Sequence, residues 1–184
     1  MAMHRRLARK RRGFTLAEVL VTLAIIAVMA AVLLPALNSQ LQKGDAGRLA
    51  SDLTNIQTAA QAFVSDVHRF PASVTELTTA LTSGSADLSS TTIPATLVAK
   101  WKGPYLAKDV VGNTAGGVIS PTFTSVAGAN AVDYLTVTIT GVSVTDFSNL
   151  EAILDEGTTS STSSTAGSIH YSGTTLTFLA LPIQ

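Results

Sequence analysis

The 184-residue chain is long enough for one domain, and its composition excludes several classes of function. It contains no cysteine, which excludes disulfide bonds, thiolate metal sites and a cysteine nucleophile. The formal net charge of zero conceals an asymmetry, because six of the twelve basic residues precede Gly13 and all twelve acidic residues follow it. The part after Gly13 therefore has a net charge of −6 and no electrostatic reason to bind nucleic acid.

The chain begins with a short basic segment that leads into an apolar run. In residues 16–37 the only polar side chains are Glu18 and Thr22. A bilayer core of about 30 Å requires about 20 apolar residues in a helix, and this run meets that length. By the positive-inside rule, the basic segment stays in the cytoplasm and the rest of the chain crosses the membrane. The basic residues are Arg5, Arg6, Arg9, Lys10, Arg11 and Arg12.

The six residues at the start of this run carry a specific motif. Residues 13–18 read GFTLAE, and this motif resembles the class III signal of type IV pilins and type II secretion pseudopilins. The resemblance implies that a membrane aspartic peptidase cuts between Gly13 and Phe14 and N-methylates Phe14. It further implies that Glu18 directs subunit assembly and that Pro35, where the family also has a proline, loosens the helix when subunits pack.

Glu18 is a carboxylate at the start of an otherwise apolar helix and needs a partner. An ionised side chain costs roughly 2.5–3.5 kcal/mol at the centre of a membrane helix, and less near its end. The α-amino group of Phe14 in a neighbouring copy would satisfy both charges in a bundle of helices, which makes the pair an assembly device. The alternative is that Glu18 is a first-turn acid in the headgroup region, favoured by the helix dipole.

Two routes of processing are open, and they divide the chain differently. In an ordinary secretory signal the apolar run would be removed at a small-residue site near Ala30 or Ala36, although this run exceeds the usual length of about 7–15 residues. Cleavage after Gly13 is favoured, because glycine lets a peptidase bind an extended backbone without side-chain conflict. The predicted organisation is a leader (1–13), a transmembrane assembly helix (14–37), its amphipathic second half (38–67) and a periplasmic head (68–184) with a flexible Ser/Thr loop (158–167).

The helix is predicted to continue well beyond the membrane. Pro35 removes a helical hydrogen bond and should kink the helix. Apolar residues then recur at steps of three and four, which predicts an amphipathic helix up to Val67. Residues 68–71 end it, because the residue before Pro71 is disfavoured in the α region. The predicted apolar stripe contains Leu37, Leu41, Leu49, Leu53, Ile56, Ala60, Phe63, Val64 and Val67.

The remaining sequence predicts short helices and an antiparallel sheet. Residues 73–76 have the spacing of a capping box and start a short helix. Residues 134–140 alternate apolar with Thr, which predicts a half-buried strand. Residues 145–156 space Phe147, Leu150, Ile153 and Leu154 for the buried face of a helix, which Gly157 would cap. Residues 168–171 and 175–181 predict a closing hairpin. The predicted fold is α+β and pilin-like, with a long N-terminal helix packed on a small antiparallel β-sheet.

A second stretch resembles one branch of the family. Residues 69–71 and 101–106 (WKGPYL) are similar to the region after the helix in the major pseudopilin of type II secretion. The family's usual Asp-Pro-Trp-Gly stretch is absent after Lys108, so the calcium loop that accompanies it is not carried over. The order of strand, helix and hairpin is also similar to the tail of some type IVa pilins, which usually carry cysteines there.

Catalysis is not expected, because the sequence has no histidine pair at metal-ligand spacing and no G-x-S-x-G turn. No cofactor is predicted, although calcium is considered for the acidic residues Asp146, Glu151, Asp155 and Glu156, which cluster near loop carbonyls and hydroxyls. The alternative for these residues is a solvated acidic helix face.

The sequence therefore predicts a structural subunit of a type II secretion pseudopilus. Its partners would be other copies, other pilins or pseudopilins, the prepilin peptidase, and an inner-membrane platform with a cytoplasmic ATPase. It would cross the bacterial inner membrane once, with a periplasmic head, before joining a filament. The alternative in the same family is a major or minor type IV pilin for adhesion, motility or DNA uptake. An alternative of another class is an anchored monomeric binding protein.

Overall fold

The computed structural model describes residues 13–107, 113–114, 116–128, 132–155 and 167–183. The chain divides into two compact units, Met1–Gln40 and Leu41–Gln184. The helix α1, Leu16–Val67, contributes residues to both units. It ends at Val67, as predicted, and the His68 N–H donates to the Val64 carbonyl at 2.9 Å.

The described residues of the first unit lie mainly in the apolar part of α1, and its large apolar side chains are exposed. Leu16 is 77% exposed and Val32 is 70% exposed. Thr22 is compatible with an apolar medium, because its hydroxyl donates to the Val19 carbonyl at 2.9 Å. Among the described residues, α1 is the one helix that is long and apolar enough to cross a membrane. Pro35 lies inside α1, and its kink remains a prediction.

The second unit is built around the remaining part of α1. One face of this segment is buried, which confirms the predicted apolar stripe from Leu49 to Val67, except that Val64 is only partly buried. The prediction is wrong for the first two residues of the stripe, because Leu37 and Leu41 are 55% and 57% exposed. It shares one hydrophobic core with the strands, and the Gln57 side-chain amide fastens it to the sheet by donating to the Ala180 carbonyl at 2.8 Å. The buried residues of α1 are Ala46, Leu49, Ala50, Leu53, Ile56, Ala59, Ala60, Phe63 and Val67.

The sheet is antiparallel, and its described strands run in the order β1-β2-β4-β6-β5. The strand β3 lies off this path and pairs with β4. The described part of the unit also contains three short helices, α2 (Thr75–Thr78), α3 (Ala95–Val98) and α4 (Val144–Leu154). The predicted α+β architecture is confirmed. The strands are β1 (Asn113–Thr114), β2 (Gly117–Ile119), β3 (Thr124–Ala127), β4 (Asp133–Thr140), β5 (Ile169–Ser172) and β6 (Thr175–Pro182).

The strand predicted at 134–140 and the closing hairpin are both present. Leu135, Val137 and Ile139 of β4 are fully buried, as their alternation predicted. The polar face departs from the prediction at Thr136, which is also fully buried. Its hydroxyl contacts the Thr124 hydroxyl at 2.8 Å and donates to the Thr124 carbonyl at 2.9 Å, so a cross-strand hydrogen bond replaces water.

The capping box predicted at 73–76 is wrong in detail. The N-cap of α2 is Val74, and no side chain caps this helix, which is a single turn. The Glu76 carboxylate does reach back, but it accepts the N–H of Ala72 at 2.8 Å. Burial raises the pKa of Glu76, and the hydrogen bond from Ala72 opposes this shift.

Helix α4 lies close to its predicted position, with two differences. It begins at Val144 because the Ser143 side chain caps it, accepting the Asp146 N–H at 3.1 Å. Ile153, assigned to the buried face, is 49% exposed. Its predicted cap Gly157 and the predicted Ser/Thr loop up to residue 166 lie outside the described residues.

A polar network fastens the loop after α3 to the end of α1. Asp66 accepts hydrogen bonds from Lys102 Nζ at 3.0 Å and from the Tyr105 hydroxyl at 2.9 Å. The Tyr105 ring makes edge contacts with Phe63 and Trp101, at centroid distances of 5.9 and 5.6 Å. The hydrogen bond from Lys102, and then the one from Tyr105, lower the pKa of Asp66. Lys102 and Tyr105 thus join the loop to α1.

Replacing Asp66 with Asn should lower the free energy of unfolding at pH 7, and this cost should shrink as the pH falls below about 4. A carboxyl whose pKa is lowered on folding contributes stability above its unfolded-state pKa, and this contribution is lost as the pH falls through the folded-state pKa. Urea unfolding at both pH values measures the difference. Asp133→Asn is the control, since the exposed Asp133 carboxylate has no partner among the described residues. An equal cost of Asp66→Asn at both pH values would contradict the assignment.

Candidate processing and assembly site

The bond between Gly13 and Phe14 lies outside α1 in accessible backbone. Both residues are exposed, Phe14 at 90%, and the helix begins two residues later, at Leu16. A Cβ added to Gly13 would meet no atom within 4 Å, so the fold does not require glycine at this position. Cleavage after Gly13 remains a prediction, and the exposed backbone at this bond is compatible with it.

Thr15 and Glu18 form a reciprocal capping box at the start of α1. The Glu18 carboxylate oxygen Oε2 accepts the Thr15 N–H at 2.9 Å and the Thr15 hydroxyl at 3.0 Å. In return, the Glu18 N–H donates to the Thr15 hydroxyl oxygen at 3.2 Å. This role of Thr15 was not predicted, although Thr-x-x-Glu directly before an apolar run is a recognised signal for it.

The capping box uses only one oxygen of the Glu18 carboxylate. No described residue donates to the other oxygen, Oε1, and the side chain is exposed. Glu18 can therefore cap its own helix and accept a hydrogen bond from a cation on another molecule at the same time. The two interpretations of Glu18, as a first-turn acid and as an assembly residue, are compatible in this geometry.

Replacing Thr15 with Val should destabilise the start of α1 by about 1 kcal/mol, while Thr15→Ser should leave it unchanged. Val keeps the β-branched shape but removes the hydroxyl that makes two of the three hydrogen bonds with Glu18. Hydrogen exchange of the first amides of α1 in detergent micelles measures the effect. Equal protection in the Val and Ser variants would show that the hydroxyl does not hold Glu18.

The fold does not bring the described calcium candidates together at one site. Asp146 lies in the first turn of α4 and accepts the Ser143 hydroxyl at 2.7 Å. Asp155 lies at the other end of α4, where it accepts the N–H groups of Ser168 and Ile169. Glu151 is only 6% exposed, and Glu156 lies outside the described residues.

The described part of the chain contains no group of three or more His, Cys, Asp or Glu that could hold a metal ion. Calcium binding thus remains a prediction without support from the positions of Asp146 and Asp155.

Comparison with known proteins points to the same N-terminal residues. The prokaryotic N-terminal methylation motif matches residues 8–34. Over 62 residues the chain is 36% identical to the type II secretion system core protein G of Escherichia coli (strain K12), covering 34% of this chain and 43% of that protein. It is 34% identical to the Klebsiella pneumoniae protein of the same name over 62 residues, covering 34% of this chain and 44% of that protein.

These matches confirm the resemblance stated from residues 13–18, within limits set by their extent. The chain spans less than half the length of these curated relatives, as the 43% and 44% coverages show. No solved structure matches the chain. The similarity to core protein G therefore supports an interpretation of the N-terminal region, and the role of the whole chain is a matter for proposal.

Proposed function

We propose that this chain is a structural subunit of a type II secretion pseudopilus. The observation that carries the proposal is the exposed start of α1, where an accessible Gly13–Phe14 bond and the capped Glu18 lie within the matched methylation motif. The similarity to core protein G favours the secretion filament over other filaments with the same motif. The proposed role is structural and not catalytic.

Processing would prepare the subunit for assembly. A prepilin peptidase would remove residues 1–13 and methylate the new N-terminal amine of Phe14. Removal of the leader takes away six basic side chains and leaves the α-amino group of Phe14 as the new N-terminal cation. This new cation would lie next to the helix start, where a second copy could present the free Oε1 of Glu18.

Assembly would follow from the exposed apolar surface of the first unit. In the inner membrane, lipid would cover the exposed apolar side chains of α1. In a filament, the same helices of other copies would cover them. Helix packing would supply cohesion, and the pairing of Glu18 with the Phe14 amine of a neighbour would set the register, since an ionised group in an apolar bundle requires a partner.

The remaining partners and the location follow from this role. An inner-membrane platform driven by a cytoplasmic ATPase would extract the subunits, and the second unit would lie in the periplasm. The growing filament, which contains other pseudopilins, would push exported proteins through an outer-membrane channel. A type IV pilin is the second candidate, because the methylation motif at 8–34 fits it equally well.

Deletion of the gene separates these two candidates. If the chain belongs to a secretion pseudopilus, proteins normally released into the medium should accumulate in the periplasm, and expression of the wild-type chain should restore their release. Surface pili, motility and DNA uptake should be unchanged. Normal secretion together with loss of surface pili would reject the proposal in favour of the type IV pilin.

A further inference from the structure

A cavity of about 410 Å³ in the second unit lies beside the C-terminal end of α1. Phe70, Leu88 and Ile183 provide its apolar surface, and polar side chains from the segment after α1, the loop after α2, β3 and β4 surround them. This volume lies within the range of about 300–1,000 Å³ that is typical of ligand sites. The cavity is separate from the residues used in the proposed filament contacts.

Backbone strain is concentrated at this cavity. His68 and Ser90 have φ values of 58° and 59°, and they are the non-glycine residues with positive φ in the described part of the chain. His68 lines the cavity, and Ser90 follows Ser89, which also lines it. Left-handed backbone is unfavourable for residues other than glycine, and it occurs preferentially at functional sites. The φ of His68 is that of a helix C-terminal cap, since its N–H donates to the Val64 carbonyl at 2.9 Å, and the positive φ of Ser90 is the one next to the cavity that no helix end explains.

A buried carboxylate holds the loop that forms one wall. Asp87 is 5% exposed, and its Oδ1 accepts the N–H groups of Ser89 and Thr91 at 3.0 and 2.9 Å. Its Oδ2 contacts Arg69 Nη1 at a long distance of 3.4 Å. The Arg69 side chain is 44% exposed, and its other N–H groups have no partner among the described residues. Asp87 thus holds this wall in place, while most of the N–H groups of Arg69 are available to a ligand.

Other polar groups around the cavity are also available. The hydroxyls of Ser89 and Ser125 and the carboxylate of Asp133 make no hydrogen bond to the described part of the chain. The cavity thus offers a guanidinium, a carboxylate and two hydroxyls around an apolar surface. A purely anionic ligand would be repelled by Asp133, and a purely cationic one by Arg69.

We propose that this cavity binds an extended peptide segment of a partner protein in which an acidic and a basic side chain flank an apolar one. The acidic side chain would accept N–H groups of Arg69, and the basic one would pair with Asp133. The apolar side chain would contact Phe70, Leu88 and Ile183, while the serine hydroxyls would bind the peptide backbone. Peptide binding at this site does not require filament assembly, so a negative binding result would leave the proposed function intact.

Titration of the full processed chain in detergent micelles tests the site. The probes are acetyl-Glu-Leu-Lys-amide and acetyl-Lys-Leu-Glu-amide, and the comparison peptide is acetyl-Gln-Leu-Gln-amide. We expect saturable NMR shifts of the Ser89 and Ser125 amides with at least one charged probe, at an affinity at least about tenfold above that for the neutral peptide.

Substitutions of two residues that line the cavity test whether the peptide binds there. Asp133→Asn removes a carboxylate that has no described partner, so the fold should be unaffected while the affinity falls about fivefold or more. Arg69→Gln should lower it at least as much, and Lys102→Gln, which removes another exposed cation paired with an Asp, should change it less than about twofold. Absence of saturable shifts at millimolar peptide, or equal affinities for the charged and neutral peptides, would overturn the proposal. So would wild-type affinity in both Asp133→Asn and Arg69→Gln.

Discussion

Replacing Glu18 with Gln should reduce incorporation of the chain into filaments by at least about tenfold, which corresponds to about 1.4 kcal/mol. An unpaired charge costs roughly 2.5–3.5 kcal/mol at the centre of a membrane helix and less near its end, where Glu18 lies. The proposed pair consists of the Glu18 carboxylate and the Phe14 amine of a neighbour, and the amide leaves that amine without a counter-charge. Cleavage after Gly13 and the amount of protein in the membrane should be unchanged. Sheared filament fractions, compared with total membrane protein, measure the effect.

Gln is chosen because it separates charge from capping. Its amide oxygen can still accept the N–H and hydroxyl of Thr15, as Glu18 Oε2 does, so the start of α1 stays capped. Thr22→Ala is the matched control, since Thr22 is the other polar residue of the run and its hydroxyl bonds only within its own helix. If the Gln variant assembled like the wild type, Glu18 would be a helix cap and nothing more.

Replacing Phe63 with Ala should lower the free energy of unfolding of the second unit by about 3–5 kcal/mol, the usual cost of removing a buried aromatic ring. Phe63 is fully buried, and its ring contacts that of Tyr105 at 5.9 Å between centroids. Since small domains are stable by only about 5–15 kcal/mol, this loss is a large share of the total.

Urea unfolding followed by tryptophan fluorescence measures this loss, because Trp101 is the one tryptophan of the chain and its ring packs on Tyr105. Val118→Ala is the control. Val118 is 46% exposed, and its truncation should cost less than about 0.5 kcal/mol. A cost below about 1 kcal/mol for Phe63→Ala would mean that α1 does not pack into the head through this ring.

The elements that could be predicted from the sequence are those with a strong local pattern. The end of α1 follows from the apolar spacing up to Val67 and from Pro71, and both features lie within a few residues of the boundary. The strand β4 and the β5–β6 hairpin follow from alternation with a two-residue turn at Gly173, whose φ of 65° suits glycine. The local sequence determines these elements, so their prediction required no knowledge of tertiary contacts.

The elements that the sequence did not reveal depend on distant partners. Strands β1, β2 and β3 have two to four residues each, too few for a pattern, and they form by pairing with each other or with β4. Thr136 is buried because Thr124 lies opposite it across the strand pair. The contacts of Asp66 with Lys102 and Tyr105 join residues 36 and 39 positions apart, beyond the reach of any spacing rule.

The candidate site shows the same division. Gly13, Phe14 and Glu18 could be found because they form one contiguous motif, and Thr15 could have been found by its spacing from Glu18. The calcium candidates could not be judged from the sequence. Asp146 and Asp155 lie close in the chain, but α4 holds them at its opposite ends.

The mass of the N-terminal peptide from protein recovered from membranes tests the central claim most directly. The account predicts a chain that begins at N-methylated Phe14, because the Gly13–Phe14 bond is accessible and lies in the matched methylation motif. A chain that begins near Ala36 would show removal of the apolar helix as a secretory signal. The head would then be a free soluble protein, and assembly through Glu18 would be contradicted.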